Sequence, residues 1–184
     1  LLIACDGYLY GGKRFDRLGI VRDLAAGMPS VIHTLVIPYL DDAPDLSGLP
    51  QPCLFDEAEG DAPLADFVRV GFNDPLYILY SSGTTGAPKC IVHGVGGVTL
   101  QHAKELRLHS DVRPEDRLFF FTTCGWMMWN WVVSGLMVGT PVILYEGNPF
   151  HPVPDRLWQM AEAERLTHMG CLLYTSDAAD EITG

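Results

Sequence analysis

The feature that most constrains this chain is an alternation of short apolar runs, rich in β-branched residues, with longer segments whose apolar positions recur every three or four residues. Leu1–Ala4, Val31–Ile37, Pro75–Tyr80, Cys90–His93, Arg117–Thr122 and Thr140–Tyr145 read as strands. Asp16–Gly27 reads as a helix with Leu18, Val21, Leu24 and Ala25 on one face, ended by Gly27 and Pro29. Leu64–Val70, Gly97–Leu108, Trp126–Val138 and Asp155–Leu166 also carry helical spacing, and Asp6–Lys13 reads as a turn-rich loop. Strands alternating with helices predict an α/β fold, a mostly parallel sheet with flanking helices.

The chain has 184 residues and a formal charge of −11, too acidic and too poor in clustered Lys and Arg to neutralise a nucleic-acid backbone. An anionic ligand must therefore be held locally. Asp41–Asp66 carries eight Asp or Glu and no Lys or Arg, which reads as a solvated connecting segment. No run approaches the roughly 20 apolar residues of a membrane span, and no signal peptide is recognisable, so the expected location is cytoplasmic. Cys5, Cys53, Cys90, Cys124 and Cys171 show no CxxC pair or His cluster, which predicts reduced, mostly buried thiols and no metal site. His93, His102, His109, His151 and His168 share no ligand spacing and read as structural or surface residues. The chain starts on a strand-like segment, as an internal piece of a longer protein would, and residues 1–170 are expected to form part of one domain. Residues 171–184 are set apart, because a back-translation of Cys171–Glu181 matches a sequencing-library adapter, and they are excluded from fold reasoning.

The chemistry is concentrated in Tyr80-Ser81-Ser82-Gly83-Thr84-Thr85-Gly86-Ala87-Pro88-Lys89. A strand delivers the chain to a loop in which Gly83 and Gly86 free the backbone to approach a ligand with its N–H groups. Ser81, Ser82, Thr84 and Thr85 add hydroxyl donors, and Lys89 adds a cation against developing negative charge. The loop departs from GxxxxGK[ST], since Ala87 and Pro88 separate Gly86 from Lys89 and Cys90 follows, so the P-loop NTPase reading is set aside.

YSSGTTGAPK is similar to the signature of the adenylate-forming superfamily, which holds acyl-CoA synthetases, luciferases and peptide-synthetase adenylation domains. DGYLYGGKRFDR, DPLYILYSSGTTG, KCIVHGVGG, FFFTTCGWMMWNWVVSGL and GNPFHPVPDRLWQMAE together resemble acetoacetyl-CoA synthetases within it, over roughly Leu1–Gly170. That resemblance implies part of the N-terminal domain of a ligase using acetoacetate, ATP with Mg2+, and CoA. An acyl-adenylate forms with loss of pyrophosphate, and CoA then displaces AMP. It implies that Ser81, Ser82, Gly83, Thr84, Thr85, Gly86 and Lys89 hold the ATP phosphates and that Trp126, Met127 and Met128 shape the acyl pocket. By composition alone the Trp- and Met-rich segment is core. No catalytic residue is assigned within the chain, because the adenine-contacting segment, the ribose-binding Asp and the C-terminal catalytic Lys of the superfamily have no counterpart here. Acetyl- and propionyl-CoA synthetases, or a non-catalytic nucleotide-binding module, remain alternatives, and oligomeric state is not readable.

Overall fold

The computed structural model describes residues 1–58, 60, 66–81 and 88–171. The chain divides into two compact units, residues 1–66 with 146–154, and residues 67–145 with 155–184.

In the first unit, β1 (Leu2–Cys5) pairs in parallel with β4 (Thr34–Ile37), and β4 pairs in parallel with β5 (Pro52–Leu54). The helix α1 (Leu18–Gly27) buries Leu18, Val21 and Ala25 in a core with Val36 and Leu49. Leu24, expected on that face, is exposed. The turn-rich loop at Asp6–Lys13 proves to be a hairpin, β2 (Gly7–Tyr10) antiparallel to β3 (Lys13–Asp16). Gly11 and Gly12 form its two-residue turn with φ of +56° and +74°, which side-chain-bearing residues adopt only at a cost.

Asp6, 2% exposed, organises the chain after β4. Its carboxylate accepts hydrogen bonds from the backbone N–H groups of Tyr39, Leu40 and Asp41, each at 2.9 Å. Burial raises its pKa, and backbone N–H groups of Leu40, Asp41, Tyr39 and Gly7 more than offset that, leaving it below the ordinary carboxylate value. The acidic segment is accordingly more than a solvated connection. It contains β5, the buried Leu49 and a 3-10 turn at Asp56–Ala58, and it supplies Asp41 to Arg14 and Asp45 to Arg22 as ion pairs. Arg14 is engaged by Asp41 and by the Leu40 carbonyl.

In the second unit, β6 (Pro75–Ser81) and β7 (Lys89–Gly94) form an antiparallel pair that runs straight into α2 (Val95–Lys104). A π-helical turn, Glu105–His109, extends α2. β8 (Leu118–Phe121) is parallel to β9 (His168–Cys171), with α3 (Met127–Val133), a 3-10 turn at Ser134–Val138 and α4 (Arg156–Ala163) between them in sequence. Leu106, Val112, Leu118 and Val138 form this unit's core. The α/β class holds, with parallel pairs at β1–β4–β5 and β8–β9 and antiparallel pairs at β2–β3 and β6–β7.

Several local expectations are corrected. Residues 66–70 are not helical, and Phe67 and Val68 stand exposed, lacking the packing that a short helix needs. Among the described residues Thr140–Tyr145 pairs only through a Val142–Leu118 bridge, and Pro141 has no N–H to extend the ladder on its N-terminal side. The Trp126–Val138 helix is shorter than expected and not buried throughout, with Trp126, Met127, Leu136 and Met137 exposed. Four of the five cysteines are exposed and Cys53 is half-buried; Cys90 lies on β7, whose sole strand partner among the described residues is β6.

Replacing Asp6 by Asn puts an N–H2 group among backbone donors. This should lower unfolding free energy by about 2 kcal/mol, read from urea denaturation. Because the folded pKa is depressed, the carboxylate's contribution is present above about pH 3.9 and is lost as pH falls through the folded value. The acid limb of the stability curve should therefore be shallower in Asp6→Asn.

Candidate active site

The segment expected to hold phosphate is bounded by the β6–β7 ladder. Ser81 is the last residue of β6 and Lys89 the first of β7; they stand opposite one another in register, and the Lys89 N–H donates to Ser81 Oγ at 3.3 Å. Ser81 Oγ accepts in this bond, and its hydroxyl proton has no acceptor among the described residues. Lys89 is exposed and forms no ion pair among the described residues. Ser82, Gly83, Thr84, Thr85 and Gly86 lie outside the described residues, between these two anchors. An antiparallel pair closing on a Ser and a Lys gives an anion both a hydroxyl donor and a mobile cation.

Farther along β7, Ile91, Val92, His93 and Gly94 line an open cleft of about 340 Å³ together with Gly97, Val98, Gln101 and His102 of α2 and Met127 of α3. The walls are apolar apart from Gln101 and the two histidines, a composition suited to a small ligand with few polar groups. Of the three residues expected to shape an acyl pocket, Met127 lies in this lining. Trp126 is the residue before α3 and half exposed, and Met128 is half-buried; neither belongs to the cleft wall.

Lys89 and His93 are four residues apart on one strand, about 13 Å at about 3.3 Å per residue. One strand therefore runs from the Lys89 end of the hairpin to the apolar cleft.

The histidines were not separable by sequence, and the structure sorts them. His109 faces Glu105 at 3.4 Å, His168 Nε2 lies 2.8 Å from the Ser110 carbonyl, and His151 sits beside Gly12. His93 and His102 both reach the cleft, His93 tilted against the Tyr77 ring at 5.4 Å. His102 occupies a buried stripe, Val98, His102 and Leu106, at spacings of four. A polar ring in that stripe requires a partner, and His102 Nδ1 has one in Ser134 Oγ at 2.7 Å. Spacing makes His102 legible as a residue of the buried face; its role depends on Ser134, which is 32 positions away.

Burial, and next the nearby His93, lowers the pKa of His102 below the usual imidazole value, while Glu105 opposes the shift. The imidazole is neutral at neutral pH. As pH falls through about 6.5 the unfolded chain takes up this proton first, so the folded state loses stability there. Urea unfolding between pH 7.5 and about 5 should show that loss, and His102→Gln should reduce it.

The model of the AMP-binding enzyme family matches residues 18–173. Acetoacetyl-coenzyme A synthetase of Rhizobium meliloti is 47% identical over 181 residues, covering 92% of this chain and 26% of that protein. Malonamoyl-CoA synthetase of Penicillium aethiopicum is 43% identical over 163 residues, covering 84% of this chain and 22% of that protein. The solved structure of acetoacetyl-CoA synthetase from Streptomyces lividans superposes with a TM-score of 0.87 at 39% identity, over 99% of this chain and 28% of that one. This chain thus spans about a quarter of the length of such relatives. With the family match running through the β6–β7 hairpin, the cleft and both compact units, the chain belongs to the AMP-binding enzyme family.

Proposed function

We propose that the full-length protein carrying this segment is an ATP-dependent acid–CoA ligase that activates a short acid with a carbonyl at carbon 3, with acetoacetate as the preferred substrate. The observation that carries this reading is the hairpin that joins a Ser81–Lys89 anion site to an apolar cleft, in a chain of the AMP-binding family. The relatives' names add the substrate class, since acetoacetyl and malonamoyl groups share a carbonyl oxygen at carbon 3 and a length of a few heavy atoms.

In the first step a carboxylate oxygen of the acid attacks the α-phosphorus of ATP, and the bond from that phosphorus to the bridging oxygen breaks to release pyrophosphate. Negative charge accumulates on the leaving group. Lys89, the Ser81 hydroxyl and the donors of Ser82, Gly83, Thr84, Thr85 and Gly86 bind and stabilise it there, with Mg2+ entering as part of the ATP complex. The hydroxyls act as hydrogen-bond donors and not as nucleophiles. In the second step the CoA sulfur attacks the acyl carbon and AMP leaves. Val98 and Met127 of the cleft wall offer apolar contact to the acyl chain, and the resemblance adds Trp126 and Met128 as neighbours of Met127. No helix among the described residues is long and apolar enough to cross a membrane, and ATP and CoA suit a cytoplasmic reaction.

Acid-dependent exchange of labelled pyrophosphate into ATP tests the reading in the full-length protein. Exchange should be strongest with acetoacetate and should fall about 100-fold in Lys89→Ala, the scale of losing one preorganised charge-stabilising group. Stronger exchange with acetate or propionate would move the assignment to the synthetases of those acids, and none with any acid would reject the ligase reading.

A further inference from the structure

Two hydrogen bonds meet at one hydroxyl beside the cleft. Ser134, the residue after α3, donates its hydroxyl proton to the Asn130 carbonyl at 2.9 Å, one turn back along the same helix. A hydroxyl has a single proton, so this bond fixes its rotation and leaves the oxygen as acceptor for His102 Nδ1 of α2, 2.7 Å away. The imidazole therefore carries a proton on Nδ1, and it does so in the neutral and the charged ring alike, so the link from α2 to α3 survives protonation of His102. With His102 only 4% exposed and Ser134 Oγ engaged as both donor and acceptor, both side chains are held in one orientation.

The link lies where it can set the width of the cleft. Val98 and His102 are four positions apart on α2, and Met127 and Ser134 are seven apart across α3, spacings that put each pair on one helix face. Each helix thus carries on one face a residue of the cleft wall, Val98 or Met127, and a member of the link. Met127 stands about 10 Å along the helix from Ser134, at about 1.5 Å per residue, so a tilt of α3 at its Ser134 end moves Met127 relative to Val98. The other ties between these segments involve residues outside the cleft lining. Leu106 and Val138 share the core, and Arg107 Nη2 donates to the Val138 carbonyl at 2.8 Å. Those contacts hold the unit together, whereas the bond from His102 to Ser134 starts from the cleft wall itself.

We infer that the hydrogen bond from His102 to Ser134 is a clamp that fixes the spacing between Val98 of α2 and Met127 of α3, and so limits the length of acyl chain that the cleft accepts. The inference rests on the ligase reading above, since it concerns the acid bound in the same site. Apolar walls distinguish acids that differ by a methylene only if they resist moving apart, and the clamp supplies that resistance. Ser134 is outside the cleft lining and acts through His102 and Met127 as a positioning residue. Its effect falls on chain-length preference rather than on phosphate chemistry.

The test compares kcat/KM for acetoacetate and for 3-oxohexanoate, the same acid extended by two methylenes, in pyrophosphate exchange by the full-length protein. Ser134→Ala should lower the acetoacetate-to-3-oxohexanoate ratio about tenfold, through KM more than kcat, the scale on which a fixed pocket distinguishes one methylene. Ser134→Thr, which keeps the hydroxyl, should retain the ratio. Ser134→Cys, close in shape but a weak acceptor, should give an intermediate ratio and carries the test if Ser134→Ala does not fold. Arg107→Met removes a tie outside the cleft lining and should leave the ratio unchanged. An unchanged ratio in Ser134→Ala and Ser134→Cys, or an equal fall in Arg107→Met, would overturn the clamp while leaving the ligase reading intact. Absence of exchange with any acid in the unsubstituted protein would overturn the ligase reading and this inference together.

Discussion

The antiparallel ladder between Pro75–Ser81 and Lys89–Gly94 is the constraint on which the rest of the site depends. Its register sets Ser81 opposite Lys89, so the ends of the glycine- and threonine-rich loop are pinned by a backbone pair and by the hydrogen bond from the Lys89 N–H to Ser81 Oγ. A one-residue slip would turn every side chain of β7 to the other face and separate the loop cation from its hydroxyl partner. The same strand ends at Gly94 and leads directly into α2, which carries the cleft wall. Close approach is built into that junction. A Cβ on Gly96 would lie 2.1 Å from the Phe72 ring, so the segment before β6 and the start of α2 depend on the absence of a side chain there.

Buried polar groups organise both units by the same physics. In the first, the Asp6 carboxylate gathers the N–H groups of three successive residues, Tyr39 to Asp41, and fixes the exit of β4. In the second, His102 interrupts an apolar stripe and is satisfied across to the end of α3 by Ser134. Each carries a desolvation cost that only a specific hydrogen bond offsets, so each ties together segments distant in sequence. The partners differ: Asp6 is held by backbone N–H groups, whereas His102 is held by a side-chain hydroxyl.

Much of the element order was legible. The strands β1, β4, β6, β7 and β8 and the helices α1, α2 and α4 follow β-branched runs or three-to-four spacing, local signals that survive without knowledge of neighbours. The β2–β3 hairpin was legible in principle, since Gly11-Gly12 between Tyr8–Tyr10 and Arg14–Phe15 has the form of a two-residue hairpin turn. Within Leu64–Val70, the described residues 66–70 expose Phe67, Val68 and Val70, so the helical spacing there has no core to pack against. At Thr140–Tyr145 the β-branched content was real, but the pairing is one bridge among the described residues.

By itself the sequence determined the α/β class and the family, because a ten-residue ordered loop and strand periodicity are local properties of the chain. Only the tertiary structure decided which of several histidines and aromatic or Met residues share a cleft. His93, His102 and Met127 lie on three different elements, and Ser134 on a further turn. Their convergence depends on strand register and helix packing, which are sums of many weak contacts over long sequence separations and leave no motif behind.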